Sequence, residues 1–482
     1  MNETDKPDYL PLEPIAQARQ SPRHQSRDNL QEPKPALRVV DAIVVIIGIV
    51  VGAGIFRTPS IVAANTGSWE LFLSAWLLGG VVSLIGAMCY AELSTTFPNT
   101  GGDYHFLHRA FGRRFSFLFA WARMAIIQTG SIALLAYIVG DYMSELYSVG
   151  PYSSPLYASA VVISLTFINI AGVHLGTGVQ KVLVSLQFIG LLILLIVGFF
   201  LAPSGSVPPV PRILDDPSFS PALGGSMIMV LLTFGGWNEA GYISAEMRSG
   251  PQKMATVMIG SILIITAIYL LINLAFLNVL GIDGIAASEA VGVDVMRVTL
   301  GEPGVYFIGV LVVLTALTST NATIFTGART NQALGRDFHF FSFMAKWKPN
   351  SSTPVNALIV QGAVATGLIV VGSFARSGFQ SMVDFTAPIF WLFILCTGLS
   401  LFVLRRKEPN VHRPFRVPLY PVLPALFCLT SGYLLYSSLI FAGTGALLGV
   451  GVLLVGMLFF FFIPRSSNRQ RPDGETKSPK QV

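Results

Sequence analysis

Twelve apolar stretches follow one another along this chain, each close to the ~20 residues that a helix needs to cross a bilayer. They fall at about 39–64, 70–93, 115–142, 157–173, 180–201, 221–247, 254–280, 304–327, 354–373, 379–404, 422–441 and 444–463. A water-soluble fold has no use for so much apolar helix surface. Charged residues make up 12% of the chain, against roughly 25% in ordinary soluble domains. The mean hydropathy is +0.64. The expected class is therefore an all-α membrane protein with twelve transmembrane helices. Residues 1–37 and 465–482 are polar and charged and read as disordered tails flanking a transporter-sized domain at 38–464. The first tail has no apolar core of the signal-peptide kind. Cys89, Cys396 and Cys428 all fall inside apolar stretches, with no disulfide framework and no metal spacing.

The basic excess, formally +6, is explained by where the charges lie. The connections after stretches 2, 4, 6, 8 and 10 carry fifteen Lys and Arg, among them Arg109, Arg113, Lys181, Arg248, Arg336, Arg405 and Arg413. Those on the other side carry three: Arg212, Arg297 and Arg376. This asymmetry is the positive-inside pattern. With an even number of spans, it puts both termini in the cytoplasm. A nucleic-acid reading of the charge is not needed.

Two stretches are weakened where they should be strongest. The first contains "IIGIVVGAGIFRTPS", with Gly52, Ala53 and Gly54 in mid-span. The sixth contains "LLTFGGWNEAGYISAEM", with Gly235 and Gly236 followed by Trp237, Asn238 and Glu239. A glycine costs about 1 kcal/mol in a helix interior, and backbone groups freed inside a bilayer need new partners. One glycine patch is ordinary helix packing. Two at matching places, five spans apart, point to a transporter's binding site. A repeat of five spans also enters the membrane from the opposite face the second time, so the repeat is inverted. An unwound segment offers amides that attract an anion and carbonyls that attract a cation. Together they suit a small zwitterion such as the backbone of an α-amino acid.

These motifs carry a family resemblance. "GAGIF", "FGGWN", "PNTGGDYHFLHRAFG" (Pro98–Gly112) and "RPFRVPLYPVLP" (Arg413–Pro424) resemble the amino acid–polyamine–organocation superfamily. Within it, the chain is most similar to the L-type amino acid transporter branch and its bacterial members, from about Val39 to Ile463. The resemblance implies a five-plus-five inverted repeat (LeuT-like fold), with repeat one at about 39–201, repeat two at about 221–404, and two extra helices at about 422–463. It implies that a substrate carboxylate meets amides around Ala53 and Gly54, with Gly52 also part of the binding segment. The ammonium would meet carbonyls near Val50, Val51, Leu232 and Gly235. Phe234, Trp237 and Asn238 would set side-chain selectivity.

Four positions depart from the family's pattern. Ala53 stands where a serine is common, and Leu232 where many relatives have a gating phenylalanine. Gln187 replaces a lysine that acts as a built-in cation, and Lys181 is too near the helix end to substitute. Glu239 lies one residue beyond an acidic position of proton-linked relatives. A carboxylate at membrane depth is a functional candidate, so Glu239 is a candidate proton carrier.

Other ionisable and polar groups give further candidates. Arg123 in the third span needs a partner; Glu92 or Glu246 would supply one, making an inner gate or static glue. Arg57 and Asp384 sit toward the outer boundary, where snorkelling suffices. Thr315, Thr318 and Ser319 of the eighth span either line an ion site or bond to their own helix. The main functional expectation is a secondary permease or exchanger for small or medium neutral L-amino acids in the plasma (inner) membrane. A cationic amino acid or polyamine carrier, proton-coupled through Glu239, is the alternative. A non-transporting amino acid sensor is the rival of another class. No catalytic triad, HExxH or P-loop is present, so neither an enzyme nor a cofactor or metal is expected. The loop "DYMSELYSVGPYSSPLY" has no cysteine. Eukaryotic members of the branch use one there to tether a heavy chain, so no disulfide-linked heavy chain is expected.

Overall fold

The computed structural model describes residues 38–462 except 100, 202–225, 228, 249, 347, 349–352, 375–377 and 442. The two polar tails and the start of the sixth apolar stretch, at 221–225, lie outside the described residues.

The first apolar stretch is built in three pieces. Helix α1 (Val39–Val50) begins where the Arg38 N–H donates to the Asp41 carboxylate at 3.2 Å. It stops at Val50, and the Gly52 N–H turns back to the Val50 carbonyl at 2.8 Å. A 3₁₀ turn covers Ala53–Phe56, and α2 runs over Thr58–Thr66 with Pro59 in its first turn, where a missing N–H costs no hydrogen bond.

Helix α3 (Trp69–Thr96) starts at Ser68, whose hydroxyl accepts from the Leu71 N–H at 3.3 Å. Its 28 residues reach about 42 Å, enough to cross the ~30 Å hydrocarbon layer. A short connecting helix, α4 (Asp103–Phe111), leads to the third span. That span is α5 (Arg113–Ala122), a π turn (Arg123–Ile127) and α6 (Gln128–Leu146). Then come α7 (Ser153–Ala171) and α8 (Val173–Phe200). The sixth stretch is helical at 229–233, turns at 234–236 and continues as a 3₁₀ helix over Trp237–Glu246.

The remainder is α9 (Met254–Ala287, kinked at Gly281), α10 (Val291–Leu300), α11 (Glu302–Asp337), α12 (Val355–Gly372), α13 (Gly378–Lys407), α14 (Val422–Phe441) and α15 (Gly443–Phe462). Among the described residues, nine helices are long and apolar enough to cross a membrane; α1 and the stretch at 445–459 are shorter apolar helices. The count differs from twelve partly because the first and sixth stretches are interrupted, which leaves pieces shorter than a bilayer.

Helix α1 sits inside the bundle, packed on α9 and α11, while α3 packs along α9 and α6 along α7 and α11. Ile46, Ile47, Val50, Ile55 and Phe56 are buried there. Much of the outside is apolar as well. On α8, Leu186, Ile189, Leu192, Ile193 and Ile196 are exposed along one face. Such a stripe suits a helix whose outer neighbour is lipid.

Candidate functional site

The two interruptions lie face to face. Tyr269 of α9, fully buried, reaches both: its hydroxyl is 2.8 Å from the Val50 carbonyl and 3.0 Å from the Thr233 carbonyl. A phenol has one proton, so it satisfies one of these acceptors at a time. Thr58 and Thr233 hydroxyls meet at 2.8 Å, tying the far side of the first break to the near side of the second. Gly52, Gly54, Gly235 and Gly236 are all half-buried, whereas Val51, Ala53 and Ile55 between and beside the first pair are buried. The backbone is thus partly reachable at the glycines themselves. Ala53 and Gly54 open the 3₁₀ turn, and the first N–H groups of a helical turn have no acceptor within it.

Gly236 is where the second break needs glycine. Its φ of 105° is left-handed, and a Cβ there would lie 2.8 Å from Ile49 Cγ2. The residue is therefore both a turn and the contact point between the sixth and first stretches.

The carbonyls at the end of α1 already have donors. The Ser319 hydroxyl of α11 lies 3.3 Å from both the Gly48 and the Ile49 carbonyl and donates its one proton to either. Gln187 of α8 donates its amide to Val51. Three helices therefore supply neutral donors to the carbonyl end that a cation would otherwise attract. Thr315 and Thr318 donate to Val312 and Leu314 of their own helix, at 2.8 and 2.7 Å.

Beside the second break is a narrow, partly open cleft, bordered by Gly235, Trp237 and Asn238 and by Trp391 and Phe427. Ser83 and Ser431 also border it, and none of its lining residues is ionisable. None of the candidates in the first stretch lines this cleft. Trp237 is held by an edge-on contact with Tyr90, ring centres 5.1 Å apart. Phe234 is a correction: its ring is fully buried against Tyr269 (4.9 Å) and Trp76 (6.4 Å). It belongs to the aromatic packing behind the break rather than to the cleft wall. Leu232 is exposed, and its carbonyl accepts from the Gly235 N–H at 3.0 Å.

The expected partners of Arg123 also need correction. Its guanidinium pairs with Glu239, 2.9 and 2.7 Å from the two carboxylate oxygens, and both side chains are buried. Glu92 is taken by others: Arg405 at 2.7 and 2.5 Å, Arg413 at 3.4 Å and the Val417 N–H at 2.7 Å. The side chain of Glu246 lies outside the described residues. The π turn at Arg123–Ile127 begins at the residue that pairs with Glu239; such turns often mark functional positions in helices. Glu239 is therefore not an unpaired membrane acid. Arg57 stacks over Phe379, and Asp384 accepts from Gln380 at 2.8 Å.

Several residues escaped the sequence reading. Tyr269 is one of several polar side chains in a mostly apolar helix, Ser261, Thr266 and Asn273 among them, with nothing local to single it out. Asp103 and Tyr242 form a third buried pair, the phenol donating to the carboxylate at 3.0 Å. Asp103 lies inside a quoted motif, but its spacing to Tyr242 is 139 residues.

A multi-pass helical bundle holding two interrupted helices against each other is the framework of a membrane carrier. The family model described as amino acid permease matches residues 37–468, and the chain belongs to that family. It is a family of transporters rather than enzymes. The chain is 29% identical over 446 residues to the human b(0,+)-type amino acid transporter 1, covering 89% of each chain. It is equally 29% identical to the mouse Asc-type amino acid transporter 1, over 89% of this chain and 81% of the relative. Against the serine/threonine exchanger SteT of Bacillus subtilis it is 26% identical, over 89% and 96%.

Proposed function

We propose that this permease moves small or medium neutral L-amino acids by alternating access, with the two interrupted stretches gripping the substrate's backbone. The relatives include one serine/threonine exchanger and b(0,+)- and Asc-type amino acid transporters by name, and the first of these supports exchange as the transport mode. The observation that carries the reading is the Tyr269 clamp, which brings the ends of both breaks together beside half-buried glycines. The substrate carboxylate docks on amides at Ala53 and Gly54, beside the half-buried Gly52. The ammonium docks on whichever of the Val50 and Thr233 carbonyls the Tyr269 proton leaves free.

Two features favour neutral substrates over cationic ones. The cleft beside Asn238 has no ionisable lining residue, and the Glu239 carboxylate is engaged by Arg123, so it has no charge to spare for a distal ammonium. The neutral donors Gln187 and Ser319 on the α1 carbonyls favour transport that needs no added cation. We further assign the twelve-span, five-plus-five arrangement, the domain limits 38–464 with cytoplasmic tails, an inner-membrane location and independence from a disulfide-linked heavy chain. The Arg-rich connections then face the cytoplasm.

Counterflow in proteoliposomes tests this. Vesicles loaded with unlabelled alanine, serine or leucine should accumulate the labelled compound, and arginine and putrescine should compete poorly. Efficient competition by arginine or putrescine would shift the reading to a cationic carrier. Binding without counterflow would favour a sensor.

A further inference from the structure

The cytoplasmic end of the bundle contains a charge arrangement that the transport reading does not use. The connection between α3 and α4 wraps the second half of the sixth stretch. The Asn99 N–H donates to the Ser244 hydroxyl at 3.3 Å, and Gly102 is so close to the Tyr242 ring that a Cβ would lie 2.7 Å from it. Asp103 then presents one carboxylate oxygen to the Tyr242 hydroxyl at 3.0 Å. The Arg123 guanidinium lies over the same ring, 4.1 Å from its centre, and turns its hydrogen bonds to Glu239.

Arg123 therefore pairs with Glu239 while Asp103, bonded to Tyr242, feels the same guanidinium only through its field, in a site closed to water. Asp103, Arg123 and Glu239 are 3%, 2% and 8% exposed. Glu239 receives both of Arg123's hydrogen bonds, whereas among the described residues the second oxygen of Asp103 and Arg123 Nε have no hydrogen-bond partner. The groups acting on Asp103 are Arg123 from the third span, Glu239 and Tyr242 from the sixth and Tyr90 from α3. With both acids ionised the cluster would hold one uncompensated negative charge, which burial strongly disfavours.

We infer that Asp103 is a proton-binding site that closes the cytoplasmic side of the carrier: it takes a proton from cytoplasmic water as α4, Tyr242 and Arg123 come together, and returns it to that water when they part. The inference rests on the orientation and alternating access proposed above. Burial, the largest influence, pushes the Asp103 carboxyl from its ordinary 3.8 up to about 6, against the opposing pull of Arg123. An acid raised in the closed arrangement favours closure fully below about 4, and that contribution is lost as pH rises through about 6. Acid on the cytoplasmic side therefore holds the carrier shut.

The test measures alanine, serine and leucine counterflow at symmetric pH from 5 to 8, for wild type, Asp103→Asn and Tyr242→Phe. Wild-type exchange should fall at least threefold on going from pH 7.5 to 5. Asp103→Asn, which cannot ionise, should give a flat profile across that range. Tyr242→Phe removes the hydrogen bond to the ionised carboxylate and should move the midpoint upward. An Asp103→Asn profile that follows wild type, or an unmoved midpoint in Tyr242→Phe, would overturn the inference. If Asp103→Asn does not fold, the Tyr242→Phe midpoint decides. If wild type exchanges none of the three amino acids, the transport reading fails instead, and melting temperature against pH for wild type and Tyr242→Phe decides the proton site. The acid-side stabilisation should extend to higher pH in the variant; coincident curves would refute it.

Discussion

Tyr269 places one hydroxyl between the carbonyls of Val50 and Thr233, at 2.8 and 3.0 Å. The two carbonyls end the helical pieces that precede the two breaks, so a single side chain holds the open ends of the two stretches in register. The Val50 carbonyl also accepts from the Gly52 N–H at 2.8 Å, so the Thr233 carbonyl depends more on this bond, since a freed backbone group inside a bilayer needs a new partner.

Removing that hydroxyl isolates its effect from packing, because phenylalanine keeps the ring contacts with Phe234 and Trp76. Tyr269→Phe should destabilise the protein by about 1–3 kcal/mol, the cost of a buried acceptor left unpaired. It should also raise the KM for exchange. Thermal unfolding in detergent and counterflow kinetics together read both effects.

The turn at Gly236 should tolerate no side chain. An alanine there meets both the left-handed φ of 105° and the Ile49 methyl at 2.8 Å. The backbone term alone is about 1–2 kcal/mol. Gly236→Ala should lose most exchange while remaining in the membrane, measured by uptake normalised to inserted protein. Gly241, with ordinary φ and its nearest neighbour 3.7 Å away, is the control, and its alanine variant should retain uptake.

The Arg123–Glu239 pair gives a third prediction. Arg123→Gln leaves the Glu239 carboxylate buried without a counter-charge and should cost about 3–5 kcal/mol. Glu239→Gln strands the guanidinium and should cost a similar amount. The double variant should recover much of the loss, and a thermodynamic cycle from denaturation measures the coupling. Additive losses would show that the pair is not the coupled unit described here.

Glu92 collects two guanidiniums and one amide at the Arg-rich end, binding α3 to the end of α13 and to the segment before α14. Glu92→Gln should lower the melting temperature, with a loss of about 3 kcal/mol. Substrate selectivity should be unchanged, because none of these groups borders the cleft. Melting curves and a competition panel distinguish this from a role in substrate binding.

The breaks were legible from sequence because glycine and helix rules are local: Gly52, Gly54, Gly235 and Gly236 announce themselves within a few residues. The partners were not. Arg123 and Glu239 are 116 residues apart, and their pairing depends on how the third and sixth stretches cross. Charge alone made Glu92 and Glu246 equally reasonable partners. Phe234 looked like a pocket residue because it adjoins a break, but which way its ring turns is settled by Trp76 and Tyr269 on other helices. The π turn at Arg123 carries no proline or glycine to signal it. Asp103 was hidden for a different reason: it opens a short amphipathic connector, where an acid at a helix start is ordinary.

The central claim is that peptide groups at two unwound points hold both ends of a zwitterion. Competition for labelled leucine counterflow by leucine, isopentylamine and 4-methylpentanoate tests it most directly, since the last two lack the carboxylate and the ammonium respectively. The account predicts strong competition by leucine and at least a hundredfold weaker competition by either analogue, with Gly54→Leu abolishing exchange. Comparable competition by isopentylamine or 4-methylpentanoate, or full exchange by Gly54→Leu, would contradict it.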